Sequence, residues 1–416
     1  MALKISKKAK KVLAVILAFL IGLMAIIGGF NIYFSVIGKQ KQYGTASGEF
    51  WSPNQTFQLE DIPAIELGNK DFKILVITDI HLKNHATFAA FLGVNYVLDW
   101  AGSIALNRMV EEVQPDLMLV LGDTTLTARN DIEYERFVRQ MDRYEVPWAC
   151  VFGNHDDEGR ADKAKLVDIL LTSKNGLFEY GPSDLHGAGN YVIRLTRDGK
   201  TEQALFLMDS GSSLEFPEKT DGINENQVAW YQWNMEGFKA AEGGYPKNMS
   251  FFHIPLPVYS ELDSFVQGER AEDSCPSNTD GGLISAMQRL NGTHLFAAHD
   301  HNNNFIAEKD GLKICYAMKS SYNCYFKFGM TGGTLLTVHP DHQVTEVHPG
   351  KTIFQSLVCL QDQAGLKYLR CLDIPDGSSI RSGQGKAFSV TDLYRILALY
   401  RRHTGLILHG RCIGIF

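Results

Sequence analysis

No CxxC pair occurs among the seven cysteines, which stand scattered at Cys150, Cys275, Cys315, Cys324, Cys359, Cys371 and Cys412. That spacing excludes a thiolate-rich structural zinc site, and the cysteines read mainly as small core residues. A Cys315–Cys324 disulfide stays open only for a domain outside the cytoplasm. Low-complexity stretches and fixed-period repeats are also missing, which leaves an ordered globular protein. At 416 residues, 45% hydrophobic and 21% charged, the chain has room for one large domain or two ordinary ones. A core of that size needs no covalent staples. Excess positive charge is lacking too: the net charge is −7 and the pI near 6.0, which argues against a scaffold built to grip nucleic acid.

Charge is absent altogether from residues 12–38, a mostly apolar run preceded by Lys4, Lys7, Lys8, Lys10 and Lys11. Such a run is long enough for a transmembrane helix, which needs about 20 residues, and longer than the ~7–15 apolar residues of a cleaved signal. The reading is an uncleaved signal anchor. Five lysines before it, against Lys39 and Lys41 after it, put residues 1–11 in the cytoplasm as a basic segment. Everything beyond then lies outside, as a single-pass membrane protein with an extracytoplasmic domain.

Residues 39–70 are expected to form a polar linker ending in an edge strand. From there strands buried on both faces (72–78, 117–121, 147–152) alternate with helical stretches (103–113, 131–144, 161–172), the rhythm of an α/β domain. Beyond 188 the chain turns strand-rich: 191–196, 204–208, 249–253, 293–298, 312–317 and 334–338. Helices are expected there only at 224–235 and 282–290. The domain is bounded at 71–345. The tail is bounded at 346–416; from residue 350 it has no Glu and holds nine Lys/Arg against four Asp, a charge of 9 − 4 = +5. Its stretch 388–408 has helical spacing, and no function attaches to it.

Five short segments fall where strands end: Asp79-Ile80-His81, Gly122-Asp123, Gly153-Asn154-His155-Asp156, His253, and His299-Asp300-His301. Ligands gather at the carboxyl ends of strands in α/β sheets. Carboxylate, amide oxygen and imidazole suit Mn, Fe or Zn, and no thiolate appears among them. Two cations roughly 3.5–4 Å apart can clamp an in-line displacement, and a carboxylate can bridge them. Asp123, midway in the set, is the candidate bridge. In extended backbone residues i and i+2 share a face, so each pair Asp79/His81 and His299/His301 is expected to aim at one cluster. Singly each fragment is commonplace, a solvated loop, a turn or a core histidine; five in this order are not.

In that order the motifs resemble those of the calcineurin-like metallophosphoesterases, over about residues 71–345. The run His253-Ile254-Pro255-Leu256-Pro257 looks like the purple-acid-phosphatase-like branch. The resemblance implies a four-layer α/β/β/α sandwich of two mixed sheets, and two divalent or trivalent metal ions (Mn, Fe or Zn). It implies Asp79, His81 and His301 on the first metal, Asn154, His253 and His299 on the second, with Asp123 bridging. His155 would face a phosphorylated substrate as a catalytic residue, oriented by Asp156, with a metal-bound hydroxide as nucleophile. Two departures from the pattern stand out. Ala298 replaces a glycine, which strains the site if that backbone needs positive φ. No tyrosine follows Asp123 in Thr124-Thr125-Leu126-Thr127, so no purple colour is expected. The expected activity is hydrolysis of a phosphomonoester or phosphodiester. A nucleotide or lipid-pyrophosphate hydrolase and a non-catalytic ligand-binding ectodomain are the rivals. His85 reads as a loop residue, and Lys319, Tyr322, Asn323 and Tyr325 as either pocket lining or a structural loop.

Overall fold

The computed structural model describes residues 48–83, 94–212, 221–327 and 329–347, together with 7, 8, 11 and 14–22. In chain order the elements are β1 (Ala64–Glu66), β2 (Phe72–Ile77), α1 (Val94–Val113), β3 (Leu117–Leu121), α2 (Asn130–Asp142), β4 (Trp148–Val151) and α3 (Lys163–Leu170). The strand-rich half follows with β5 (Tyr191–Arg197), β6 (Lys200–Leu207), α4 (Glu225–Glu242), β7 (Lys247–Phe251) and α5 (Leu283–Arg289). It ends with β8 (Gly292–Ala297), β9 (Ile306–Lys309), β10 (Leu312–Tyr316), β11 (Thr334–Val338) and β12 (Val344–Val347).

Two mixed sheets result. The smaller runs β12-β11-β2-β3-β4, with β2, β3 and β4 mutually parallel. The larger runs β1-β5-β6-β7-β8-β10-β9, with β6, β7 and β8 parallel at its centre. Strand periodicity explains the layering. Leu205 and Leu207 of β6 join the cluster holding Leu75, Val76 and Leu119, whereas Ala204 and Phe206 between them join one with Trp230, Tyr231 and Met235 of α4. Alternate residues on a strand point to opposite faces, so one strand feeds two cores: one between the sheets, one under α4 and α5. Every residue of β3, Leu-Met-Leu-Val-Leu, is fully buried. Each such side chain stabilises the fold by about 1.5–3 kcal/mol. The α/β/β/α order expected from the resemblance is the order found.

Two short strands, β9 and β12, escaped the sequence reading or its boundaries. β9 and β10 pair through Asp310-Gly311, both at positive φ, the two-residue hairpin turn that Asp-Gly favours. β1, the edge strand expected at the end of 39–70, pairs with β5, and β12 reaches Val347. Trp51, Phe57 and Leu59 pack against the second core, so the folded unit takes in most of the supposed linker and oversteps 345. Cys150, Cys275, Cys315 and Cys324 are free thiols. Cys315 is buried between the sheets and Cys324 lies exposed in a later loop, so the Cys315–Cys324 bridge does not form.

Among the described residues no helix is long and apolar enough to cross a membrane. Of the run 12–38 only residues 14–22 are described, as helix, a rise of about 13 Å against a hydrocarbon core of about 30 Å. The rest of that run lies outside the described residues. So do His85 and the tail from 348, which includes the second unit of the chain, Gln361–Phe416.

Candidate metal centre

All five motif segments follow strand ends, three from the smaller sheet (β2, β3, β4) and two from the larger (β7, β8). The β2/β3 ladder continues past the strands, with Asp79 N–H donating to Gly122 O at 3.2 Å and His81 N–H to Asp123 O at 2.9 Å. His253 Nδ1–H donates to Leu121 O at 2.7 Å, which ties the two sheets together at this end.

The side chains converge. Single donor atoms of Asp79, His81, Asp123 and His301 lie within 4.8 Å of one another, and so do those of Asp123, His253 and His299. Asp123 belongs to both groups. Its Oδ2 stands 3.7 Å from His81 Nε2 and 3.3 Å from His253 Nε2. His301 Nε2 lies 3.4 Å from Asp79 Oδ1 and 2.9 Å from His81 Nε2. Asn154 Oδ1 is 3.2 Å from His253 Nε2. The seven donor residues proposed from sequence therefore come together at one end of the two sheets.

How they converge differs from expectation. Asp79, His81, Asp123 and His299 have φ of 54°, 49°, 49° and 81°. The i/i+2 pairs do not reach the cluster through extended backbone; left-handed turns aim them. Each such conformation costs a non-glycine residue roughly 1–2 kcal/mol and persists only where neighbours over-determine it. Those neighbours are visible. Lys319, itself buried, donates from Nζ to Asp79 O at 2.7 Å, and Ser321 Oγ–H donates to Ile80 O at 2.7 Å. Residues 319–323 thus brace the first loop, the structural alternative for Lys319 and Asn323. Ala298 costs nothing, since the positive φ falls on His299 one residue later.

The electrostatics suit cations. Asp79 Oδ1 and Asp123 Oδ2 are buried without a hydrogen-bond partner, as are His81 Nδ1 and His299 Nδ1; orphaned polar atoms of this kind ask for a ligand. Burial raises both carboxyls, yet the facing imidazoles more than offset it and hold both below the usual range. Burial and the Lys319 ammonium keep His81 well below its ordinary value, and burial then His253 bring His299 down to about 4. Charged carboxylates beside the neutral imidazoles of His81 and His299 are the protonation state that metal ligation requires. His253 is the exception. Burial lowers it, but the Asp123 carboxylate lifts it to about 10, so a cation there must displace its proton. Its Nδ1–H bond to Leu121 O, and that of His301 to Tyr325 O at 3.0 Å, turn Nε2 of each ring toward the cluster.

His155 sits at the rim with its side chain 31% exposed, its ring 5.6 Å from that of His81 and its N–H donating to Asp123 Oδ1 at 2.9 Å. Asp156 does not orient it. That carboxylate is fully buried and accepts from Thr125 N–H at 3.0 Å and Gly153 N–H at 2.8 Å, and burial with nearby Asp123 pushes it up to about 7. The carboxylate beside the imidazole is Glu158, with Oε2 2.8 Å from Nδ1. Helical i,i+3 spacing was the only sequence signal for that pair. Lys319, Ser321 and Cys324 left no motif at all.

The family model for calcineurin-like phosphoesterases matches residues 72–303. Two Arabidopsis thaliana proteins are similar in sequence. One, called probable inactive purple acid phosphatase 29, is 26% identical over 294 residues, covering 63% of this chain and 75% of the relative. Another, probable inactive purple acid phosphatase 14, is 25% identical over 290 residues, covering 62% and 72%. A solved dimetal phosphatase from Danio rerio aligns with a TM-score of 0.45 at 14% identity, over 65% of this chain and 94% of that one.

Proposed function

This chain belongs to the calcineurin-like phosphoesterase family, and we propose that it hydrolyses phosphate esters at a centre of two metal ions. The observation that carries the reading is the membership of Asp123 in both donor groups. Asp79, His81, Asp123 and His301 would hold one cation, and Asp123, Asn154, His253 and His299 the other; manganese, iron and zinc all accept such donors. Cations held there would polarise a phosphoryl oxygen and supply a nucleophile near neutral pH.

The chain's own groups do the rest. His155 is fixed by its backbone bond to Asp123 while its ring stays open to solvent, so it can meet substrate above the cluster. Paired with Glu158, it can hold a proton for the leaving oxygen. Asp156 acts through the loops that it ties together.

A second reading, a non-catalytic binding domain, is favoured by the word inactive in the relatives' names. Against it stands the complete donor set with His155 in place, of which a degenerate enzyme would be expected to lose a member. Metal analysis combined with a panel of monoesters, diesters, nucleotides and lipid pyrophosphates decides between them. Two bound metals with turnover of any panel member support hydrolysis; two bound metals with none support the binding reading. Asp123→Asn with full activity would remove the bridge.

The anchor at 12–38, with its five preceding lysines, supports a domain held outside the membrane. A reporter fused after residue 60 should be active outside the cell, and cytoplasmic activity would reverse that orientation.

A further inference from the structure

One thiol stands among the donors that the motif pattern never included. Cys324 Sγ and a ring nitrogen each from His81 and His301 lie within 4.8 Å of one another. Those two histidines are buried, whereas Cys324 is exposed. The neighbours of Cys324 are stapled to the centre on both sides. Before it, Ser321 Oγ–H bonds the carbonyls of Asp79 and Ile80, and Asn323 Nδ2–H donates to Asp99 Oδ1 at 2.6 Å. After it, Tyr325 O accepts from His301 Nδ1–H, and the Tyr325 ring stacks on His301 with centroids 4.1 Å apart. A loop so tied cannot swing its thiol away without breaking bonds to the candidate ligands themselves. Against one of the same two histidines, the buried Asp79 Oδ1 lacks a hydrogen-bond partner and stands 3.4 Å from His301 Nε2, an independent sign that a cation belongs beside His301.

We propose that Cys324 is a ligand of a cation bound at His81 and His301, holding it as a thiolate. The inference rests on the two-metal reading and changes its chemistry. On binding, the sulfur–hydrogen bond breaks, the proton leaves to water, and a sulfur–metal bond forms with no change in oxidation state. A soft donor added to the two imidazoles biases that position toward zinc and away from manganese. Because the thiol is exposed, it also competes with water and phosphate for the open side of that cation. An agent that alkylates or oxidises it would then alter metal choice before it altered the fold.

The test uses the full chain stripped with chelator and reloaded with cobalt(II), read by electronic absorption and metal content. A sulfur-to-cobalt charge-transfer band in the near ultraviolet is expected. It should vanish in Cys324→Ser and persist in Cys275→Ser. In competition, Cys324→Ser should lower the preference for zinc over manganese by roughly tenfold, the scale on which contacts around a metal tune affinity. Bound cobalt that shows only visible ligand-field bands in the parent overturns the thiolate ligand and leaves the two-metal centre standing. A charge-transfer band that survives Cys324→Ser overturns it equally. Failure to take up cobalt at all, with no ligand-field bands either, sinks the two-metal reading and this inference together.

Discussion

Replacing Asp156 by alanine separates a tether from a catalyst. Its two carboxylate oxygens accept Thr125 N–H and Gly153 N–H, at 3.0 and 2.8 Å, in a fully buried position. These amides belong to the loops that carry Asp123 and Asn154, so the carboxylate clasps two halves of the centre. Alanine leaves both amides unpaired, and each buried orphan costs about 1–3 kcal/mol. The sum, about 2–6 kcal/mol, falls on a folded unit of about 300 residues whose unfolding entropy is near 0.6 kcal/mol per kelvin. A melting temperature lower by about 3–10 °C follows. Asp156→Asn keeps one acceptor and should lie between alanine and the parent. Calorimetry of chelated protein reads the effect without any contribution from bound metal. An Asp156→Ala variant that melts within a degree of the parent, yet has lost turnover, would refute the tether and restore a direct catalytic role.

The glycine before Asn154 has no room for a side chain: a Cβ on Gly153 would collide with the backbone nitrogen and carboxylate of Asp123. Gly153→Ala should therefore cost about 3 kcal/mol, the upper range for overpacking, and abolish the second bound metal, as metal analysis will show. Asp99 is 3% exposed, and burial raises its carboxyl to about 6, with Glu133 adding to this while Asn323, Arg136 and the Lys83 N–H oppose it. The native state then binds more protons than the unfolded one between about pH 4 and 6, so stability falls as pH rises through that window. Asp99→Asn should match the parent near pH 4 and exceed it by up to about 3 kcal/mol above pH 6 in urea melts; a constant difference across that range refutes the assignment. His155→Ala should lower turnover by about 10²–10⁴ with both metals retained, whereas Glu158→Gln, acting on a half-exposed pair, should cost only a few-fold. Loss of metal in His155→Ala would make it a ligand instead.

Much of the site was legible because its chemistry is local to strand ends. Buried strands write themselves as continuous apolar runs, so β2, β3 and β4 were readable at nearly their true bounds, and the residue after each run was marked as a loop position. Donor identity is a property of residue type, and seven donors in that order point to one candidate centre from the sequence. The Asp310-Gly311 turn was equally present in the sequence. It went unread because the four residues of β9 are too few to show an alternation of their own.

Other assignments depend on which loops meet, and no periodicity records that. Asp156 is next to His155 along the chain, yet its side chain faces the backbone of two loops while Glu158 takes the imidazole. Asp79 and His81 aim together through left-handed turns held by Lys319 and Ser321, which lie some 240 residues away. Cys324 stands beside His81 and His301 for the same reason: the loop after β10 folds back over the end of β2. Sequence determined which groups could bind a cation. Only tertiary contact decided which residues brace the loops, which carboxylate meets His155, and which thiol stands within reach.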